Sequence, residues 1–481
     1  MNERVYPMRK QKQASFIPVF LCMLCWAIAA CSPAGEYRAP DVAVPAAYRG
    51  AEVPGTASGT TSISTLPYAE YFSDSALRSL IDSAVVNNID LQIAVRNIDY
   101  SRQTLNVARV GNLPALNLGV ESNLTRPSDT GRSAIATGDK SLEDYTASFG
   151  ATWEADIWGK IRSRKKSALA SFLRSEEAAK AVKTRLVADV ANGYYNLLML
   201  DRQLLVTTKN LSLADTTLQM MKLQYEAGQV TLLAVQQQEA SRGAIAILLP
   251  QLEQKIFVQE NALGILCGRM PTPVMRNPDL FSIPVFDNMP AGIPASLLRN
   301  RPDVRAAELG VRAAHADMGE AKAGLYPALR ITAEGGVNAL RSSDWFSIPG
   351  SLFGFVQGSL LQPLFQQGQL RAKYEQSKIK RDQAELEFKQ TLLKAVGEVS
   401  DVLVQLEKLK TEELLAAERA ATLRKAVTNA GLLFRSGMAA YLEVMLAQTN
   451  AQQAELVLAD IRRQHLAAMA ELYRALGGGW K

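Results

Sequence analysis

Histidine and cysteine are scarce, at two and four in 481 residues. His315 and His465 stand on separate segments with no cysteine or carboxylate at metal-ligand spacing, so neither suits a metal centre or a catalytic base. No Gly-x-x-x-x-Gly-Lys run occurs, which leaves out a phosphate-cradling nucleotide loop. No apolar run reaches the about 20 residues of a spanning helix; Phe16–Ala30 stops at about 15. Between Lys160 and Ala227 there is no proline and one glycine, Gly193, so 68 consecutive residues carry no ordinary turn signal. Nothing here assembles a catalytic constellation, and the chain reads as a non-enzyme.

What is present begins with an address. Arg4, Arg9, Lys10 and Lys12 precede the apolar run, which closes on Ile28-Ala29-Ala30-Cys31. A basic start, an apolar middle and small residues at the cut make residues 1–30 a secretory signal peptide. A cysteine directly after the small residues resembles a bacterial lipobox, in which the Cys31 sulfur is acylated and becomes the mature N-terminus. An ordinary signal peptide with a coincidental cysteine is the alternative. Ser32 follows where aspartate would favour inner-membrane retention, so the outer membrane is favoured. Cys22 and Cys25 leave with the signal and Cys31 takes the lipid, so only Cys267 remains and no intrachain disulfide is open. Four basic residues and Glu3 leave too, so the net charge of +6 falls to +3 and gives no argument for a nucleic-acid partner. No cofactor is expected beyond the covalent lipid.

The chain then repeats itself. Asn88-Ile89-Asp90-Leu91 and Leu113-Pro114-Ala115-Leu116 return as Arg301-Pro302-Asp303-Val304 and Tyr326-Pro327-Ala328-Leu329, at an offset of 213. Tyr225-x-x-Gly228, Leu233-x-Val235 and Gly268 return as Phe434-x-x-Gly437, Leu442-x-Val444 and Gly477, at an offset of 209. Copy two is therefore four residues shorter between the two registers. Two copies are too few for a solenoid, which leaves pseudo-symmetry within a ring.

Each copy reads as a helix, a strand pair and two very long helices. Ser75–Gly111 has helical spacing, Asp74 at its start and Pro114 at its stop. Then the period becomes two. Leu116, Leu118 and Val120 alternate with Asn117, Gly119 and Glu121, while Phe149 and Trp153 alternate with Thr146, Ser148 and Glu154. A polar loop, Thr125–Glu143, separates them; copy two repeats the pattern at Ile331 against Thr332 and Glu334, and a shorter loop, Asn338–Pro349, leads to a further strand region, Ser351–Leu364. Lys160–Ala227 would span about 100 Å as helix. Leu197, Leu204, Leu211, Leu218 and Tyr225 recur every seven residues, with Leu200, Ala214 and Met221 as companions, which is a coiled-coil seam. Gly228 ends that helix and a second returns over Leu232–Leu266, with a kink expected at Pro250. Copy two runs Gln369–Ser436, turns at Gly437 and returns to Leu476.

Four amphipathic strands cannot close a membrane barrel, and open edges cannot face lipid. A dimer would bring eight strands and a trimer twelve; an eight-stranded barrel is filled by its own side chains. The face with Asn117, Glu121, Thr146, Ser148, Glu154, Thr332 and Glu334 would line a pore, and that with Leu116, Leu118, Phe149, Trp153 and Ile331 would meet lipid.

Several local runs resemble the TolC family of outer-membrane efflux channels, and its lipoprotein branch serving RND-type pumps. They are Tyr37-Arg38-Ala39-Pro40 with Pro45, Tyr71-Phe72-Ser73-Asp74-Ser75-Ala76-Leu77, Trp153-Glu154-Ala155-Asp156-Ile157-Trp158-Gly159-Lys160-Ile161, and Leu472-Tyr473-Arg474-Ala475-Leu476-Gly477-Gly478-Gly479-Trp480. The resemblance implies an α+β membrane protein: a long α-helical coiled-coil barrel, plus four transmembrane β-strands per chain completing a 12-stranded barrel in a homotrimer. It implies a passive duct for drugs or other small molecules, with most of its mass in the periplasm, a periplasmic adaptor protein and an inner-membrane RND-type pump as partners. It also implies that the helical-hairpin tips, with Tyr225, Gly228, Phe434 and Gly437, close the tunnel at rest and meet the adaptor. Glu443, sixth past Gly437, matches an acidic position at the family's tunnel mouth, whereas Leu446 and Ala439 depart from charged or polar family positions. Leu442 and Leu446 would then add an apolar constriction to a gate at Glu443. Phe434 lacks the hydroxyl of its counterpart Tyr225. The implied segments are 1–30 signal, 31–73 lipidated N-terminal segment, 74–268 repeat one (hairpin 158–268), 269–292 link, 293–477 repeat two (hairpin 366–477) and 478–481 tail. Two other functions stay open at this point: a type I protein-secretion duct, and a periplasmic coiled-coil scaffold without a pore.

Overall fold

The computed structural model describes residues 35–40, 42–49, 63–126, 128, 141–277, 279–285 and 292–480. The signal peptide, Cys31, most of the loop after the first strand and part of the link lie outside the described residues. The principal elements in chain order are α1 (Ser75–Asn87), α2 (Ile89–Val110), β1 (Ala115–Thr125), β2 (Leu142–Ala155), α3 (Lys160–Glu226), α4 (Leu232–Leu266), α5 (Pro302–Ala323), β3 (Ala328–Ala339), β4 (Leu352–Leu361), α6 (Gln369–Arg435) and α7 (Tyr441–Ala475). The duplication is carried in helix lengths: α2 and α5 have 22 residues, α3 and α6 have 67, α4 and α7 have 35. The four-residue difference therefore falls among the strands and their connections.

The chain divides into two compact units. One comprises Met1–Ala39, Ser101–Phe172 and Gly310–Glu385; the other comprises Pro40–Tyr100, Leu173–Leu309 and Leu386–Lys481.

The first unit holds an antiparallel sheet in the order β1-β2-β3-β4, so β1 and β4 are its edges. Cross-strand partners share a face. Leu118 pairs with Phe149, Trp153 with Ile331 and Ala333 with Val356 on one side. Asn117 pairs with Gly150, Glu121 with Thr146, and Thr152 with Thr332 and through it Gln357 on the other. The period-two pattern thus sorts polar from apolar across β1, β2 and β3, whereas β4 sets Phe353 and Phe355 on the polar side. The Asp156-Ile157-Trp158-Gly159 run is the turn from β2 into α3. Asp156 accepts from the Ile161 and Arg162 amides at 2.8 and 2.9 Å, capping a helix start whose donors have no other partner. Gly159 takes φ +74°, and Trp158 stacks on Tyr326 while donating to the Pro327 carbonyl at 2.8 Å.

In the second unit the expected single helix Ser75–Gly111 is broken at Asn88, whose φ −59° and ψ 126° leave the helix. Asn88 restarts it as an N-cap: its Oδ1 accepts from the Leu91 amide at 2.9 Å, and its Nδ2 donates to the Leu266 carbonyl at 2.9 Å. Copy two builds the same joint with different chemistry. Arg301 Nη1 donates to the Ala475 carbonyl at 3.2 Å and pairs with Glu398, while its Nε and Nη2 bind Asp303. The joint leaves no room for a side chain at the glycine that closes the return helix. A Cβ on Gly268 would sit 2.1 Å from the Asn87 carbonyl oxygen, and one on Gly477 2.4 Å from that of Asn300.

The coiled-coil seam also differs from expectation. The companion series Leu200, Ala214 and Met221 is buried, with Thr207 between them, while of the expected seam Leu197 is buried, Leu204, Leu211 and Leu218 are half-buried and Tyr225 is exposed. The heptad fixes the spacing of a stripe, and the position of the neighbouring helices selects which stripe is innermost. The helix α4 continues through Pro250. Aromatic side chains hold the ends of the segments together: Tyr71 stacks on Tyr473 at 4.3 Å, and the Tyr473 hydroxyl donates to the Leu66 carbonyl at 2.6 Å. Burial pushes the Tyr473 phenol up to about 12.

Candidate functional site

Both hairpins turn by the same device. The Gly228 amide donates to the Tyr225 carbonyl and the Gln229 amide to that of Gln224, at 2.9 and 2.8 Å. Gly437 to Phe434 and Met438 to Leu433 repeat this at 3.1 and 2.9 Å. These are Schellman caps, and each glycine has φ +73°, a left-handed conformation that side chains disfavour. A Cβ at either would meet nothing within 4 Å, so conformation alone calls for glycine there.

The two tips share one core. Met221, Ala234, Val235, Phe434 and Val444 are buried together, against Leu218, Val230, Ala430 and Tyr441. Phe434, expected with Tyr225 among the exposed tip residues, is 6% exposed and fills this core, whereas Tyr225 is 44% exposed. The apolar replacement of tyrosine by phenylalanine is what allows that burial, since a phenol would need a partner there. Polar ties cross the cluster. The Tyr441 hydroxyl donates to Gln237, Gln448 Nε2 donates to Thr217 at 3.1 Å, and the ion pairs Lys222–Glu239 and Arg242–Asp215 both close at 2.8 Å. Copy one caps its return helix with Thr231, which accepts from the Ala234 amide at 3.3 Å; Ala440 stands at the same place in copy two and cannot.

Glu443 lies in the first turn of α7 and is exposed, and its carboxylate has no hydrogen-bond or ion-pair partner among the described residues. Leu442 and Leu446 flank it at 45% and 51% exposure, one helical turn apart from each other. The pseudo-symmetric counterpart of Glu443 is Ala234, 1% exposed in the tip core. Copy two thus directs a carboxylate and two leucines away from the core where copy one packs a small residue into it. The three expected gate residues occupy one exposed end of α7; Tyr225, Gly228 and Gly437 are exposed at the turns beside it.

Sequence reasoning missed the anchoring of the link. Arg276 pairs with Asp201 on α3 and Glu260 on α4. Arg462 pairs with Glu413 at 2.7 Å and donates to the Ile283 carbonyl, and His465 Nδ1 meets the other oxygen of Glu413 at 2.7 Å. Burial works to raise the Glu413 carboxyl, but the His465 hydrogen bond and the Arg462 charge outweigh it and hold it below the usual glutamate range. His465 is therefore part of a structural clamp. Among the described residues no His, Cys, Asp or Glu cluster suits a metal ion, and no helix is long and apolar enough to cross a membrane. The sheet, with its two unlike faces, is the part of the chain suited to lipid.

Residues 80–269 and 293–478 match the family described as outer membrane efflux protein, the two matched stretches coinciding with the two repeats. The chain is 29% identical over 469 residues to the solvent efflux pump outer membrane protein SrpC of Pseudomonas putida, covering 96% of this chain and 98% of that protein. It is 30% identical over 476 residues to a toluene efflux pump outer membrane protein, TtgC, also of Pseudomonas putida, covering 96% and 95%. Its fold is similar to a crystal structure of a membrane protein from Pseudomonas aeruginosa, with TM-score 0.84 at 26% identity over 93% of this chain and 100% of that one. It is also similar to the open state of the Neisseria gonorrhoeae MtrE outer membrane channel, with TM-score 0.83 at 24% identity over 94% and 99%. An internally duplicated chain, two long helical hairpins and a small two-faced sheet are thus shared with outer-membrane channels along nearly the whole length, and this protein belongs to the outer membrane efflux protein family as the outer-membrane channel component of an efflux pump.

Proposed function

We propose that three copies of this chain form a passive duct. The observation that carries the reading is the four-stranded sheet with unpaired edges at β1 and β4 and segregated polar and apolar faces. Open edges cost several kcal/mol per unsatisfied group in lipid. Pairing β4 of one copy with β1 of the next removes every edge, and twelve strands leave a lumen where eight would not. The polar face lines the lumen, and Cys31 carries the lipid as a second hold on the outer membrane. The cargo is small organic molecules, the class to which the solvents and toluene in the relatives' names belong.

The tips, with Tyr225, Gly228 and Gly437 outermost, meet a periplasmic adaptor protein, which links the duct to an inner-membrane RND-type pump that supplies the energy. Three-fold symmetry brings the Glu443 carboxylates together near the axis, with Leu442 and Leu446 adding an apolar constriction. Light scattering of the detergent-solubilised protein tests the assembly: a mass close to three mature chains, together with conductance in planar bilayers, is expected. A monodisperse dimer, or a trimer without conductance, overturns the duct.

A further inference from the structure

Two phenylalanines occupy the polar face of the sheet. The register sets Phe355 opposite Glu334 and Phe353 opposite Gly336, on the side that carries Thr332 and Gln357. An apolar ring on a face turned to water loses the free energy that burial would give it. Phe353 has a structural reason to be there, since a ring opposite a glycine covers backbone left bare. Phe355 has none: its partner is a carboxylate, and it is 45% exposed.

Glu334 is half-buried, and its carboxylate has no hydrogen-bond or ion-pair partner among the described residues. Arg330 shares its face but lies four positions along the strand, about 13 Å away, and is turned to Glu154 at 3.9 Å. On the other side Glu334 pairs with Gly150, and at the next level Gly336 pairs with Ser148, whose partner on β1 is Gly119. The Asn117 amide lies over Gly150, 3.2 Å from where a Cβ would stand, so the carboxylate is flanked by the ring on one side and by a neutral amide over bare backbone on the other.

A carboxylate without an ion-pair partner beside an aromatic face suits one chemistry. A metal ion needs only the charge and a neutral aromatic only the ring; a lipophilic organic cation uses both, through Coulombic attraction and the quadrupole of the ring. We propose that Glu334 and Phe355 form a weak binding subsite for lipophilic organic cations inside the barrel, one per protomer. This rests on the reading that the polar face lines the lumen. Weak binding suits a duct, because a solute must leave as readily as it enters.

Tetraphenylphosphonium applied from the barrel side to single channels of the whole protein tests the subsite. It should reduce the current through the wild type. Phe355→Leu, which keeps an apolar side chain and removes the ring, should raise the half-blocking concentration about fivefold. Glu334→Gln should raise it at least as much. Thr332→Cys, on the same face, should react with a charged thiol reagent that reaches only the lumen, and Ala333→Cys, on the opposite face, should not. Reaction at Ala333→Cys instead overturns the face assignment and the subsite with it. Correct labelling with wild-type block absent, or unchanged in both variants, overturns the subsite and leaves the duct standing.

Discussion

Alanine at Gly477 should cost much more stability than alanine at Gly437, although both glycines close a helix with the same pair of backbone hydrogen bonds. Both have positive φ, +87° and +73°, so each substitution carries the left-handed penalty of about 1–2 kcal/mol. At Gly437 nothing lies within 4 Å of the new Cβ, and the cost ends there. At Gly477 the Cβ falls 2.4 Å from the Asn300 oxygen, 2.7 Å from its carbonyl carbon and 3.0 Å from the Arg301 Cα. These are backbone atoms and cannot swing aside, so the end of α7 must move off the Asn300–Arg301 segment. Overpacking of this kind costs about 1–3 kcal/mol. Loosening the 3.2 Å bond from Arg301 to the Ala475 carbonyl adds about 1 kcal/mol. The expected totals are about 1–2 kcal/mol at Gly437 and about 3–6 kcal/mol at Gly477. Urea unfolding of the detergent-solubilised protein, followed by far-ultraviolet circular dichroism of its helices, reads the difference as a shift in midpoint. Gly228→Ala and Gly268→Ala form an independent pair, with open space at the first and the Asn87 oxygen 2.1 Å away at the second. Equal midpoints within either pair would refute the idea that the joints, and not the cap conformation alone, demand glycine.

Ala440→Ser should stabilise α7 by about 1 kcal/mol, because it supplies the side-chain cap that Thr231 gives copy one; no gain in urea midpoint would mean that the tip holds the helix start without it. Glu413 is held below the usual glutamate range, so its clamp contributes fully above about pH 4.3 and is lost as pH falls through the lower folded value. Glu413→Gln should flatten that acid limb of the stability profile, and an unchanged limb would place the acid sensitivity elsewhere. Glu443→Gln should weaken block by divalent or trivalent cations applied from the periplasmic side without touching assembly; block as strong as wild type would make Glu443 an ordinary solvated residue. Cys31→Ala should abolish incorporation of labelled palmitate, and retained labelling would move the lipid to another residue.

The sequence alone determined whatever depends on local repetition. Period-two alternation named β1, β2 and β3 and sorted their faces, and the register keeps Leu118 with Phe149 and Thr152 with Thr332. Missing turn signals announced α3 and α6, and Gly228 and Gly437 announced the turns, because a left-handed cap is a property of the residue itself. The family runs at Trp153–Ile161 and Leu472–Trp480 identified the channel. What required tertiary structure was every choice set by residues distant in the chain. Asn88 breaks a helix that its neighbours would continue, and it does so with a carbonyl 178 positions away as partner. The heptad on α3 offered two stripes, and the packing of neighbouring helices buried Leu200, Ala214 and Met221. Phe434 and Tyr225 match by position, yet one is core and the other surface, because the two hairpins converge on one side of the tip. Arg276 stands in the link, and only the fold brings Asp201 and Glu260 to meet it. Local periodicity encodes elements because neighbours in sequence are always neighbours in space; clamps, joints and the inner face of a helix depend on which distant segments arrive, and only the folded chain decides that.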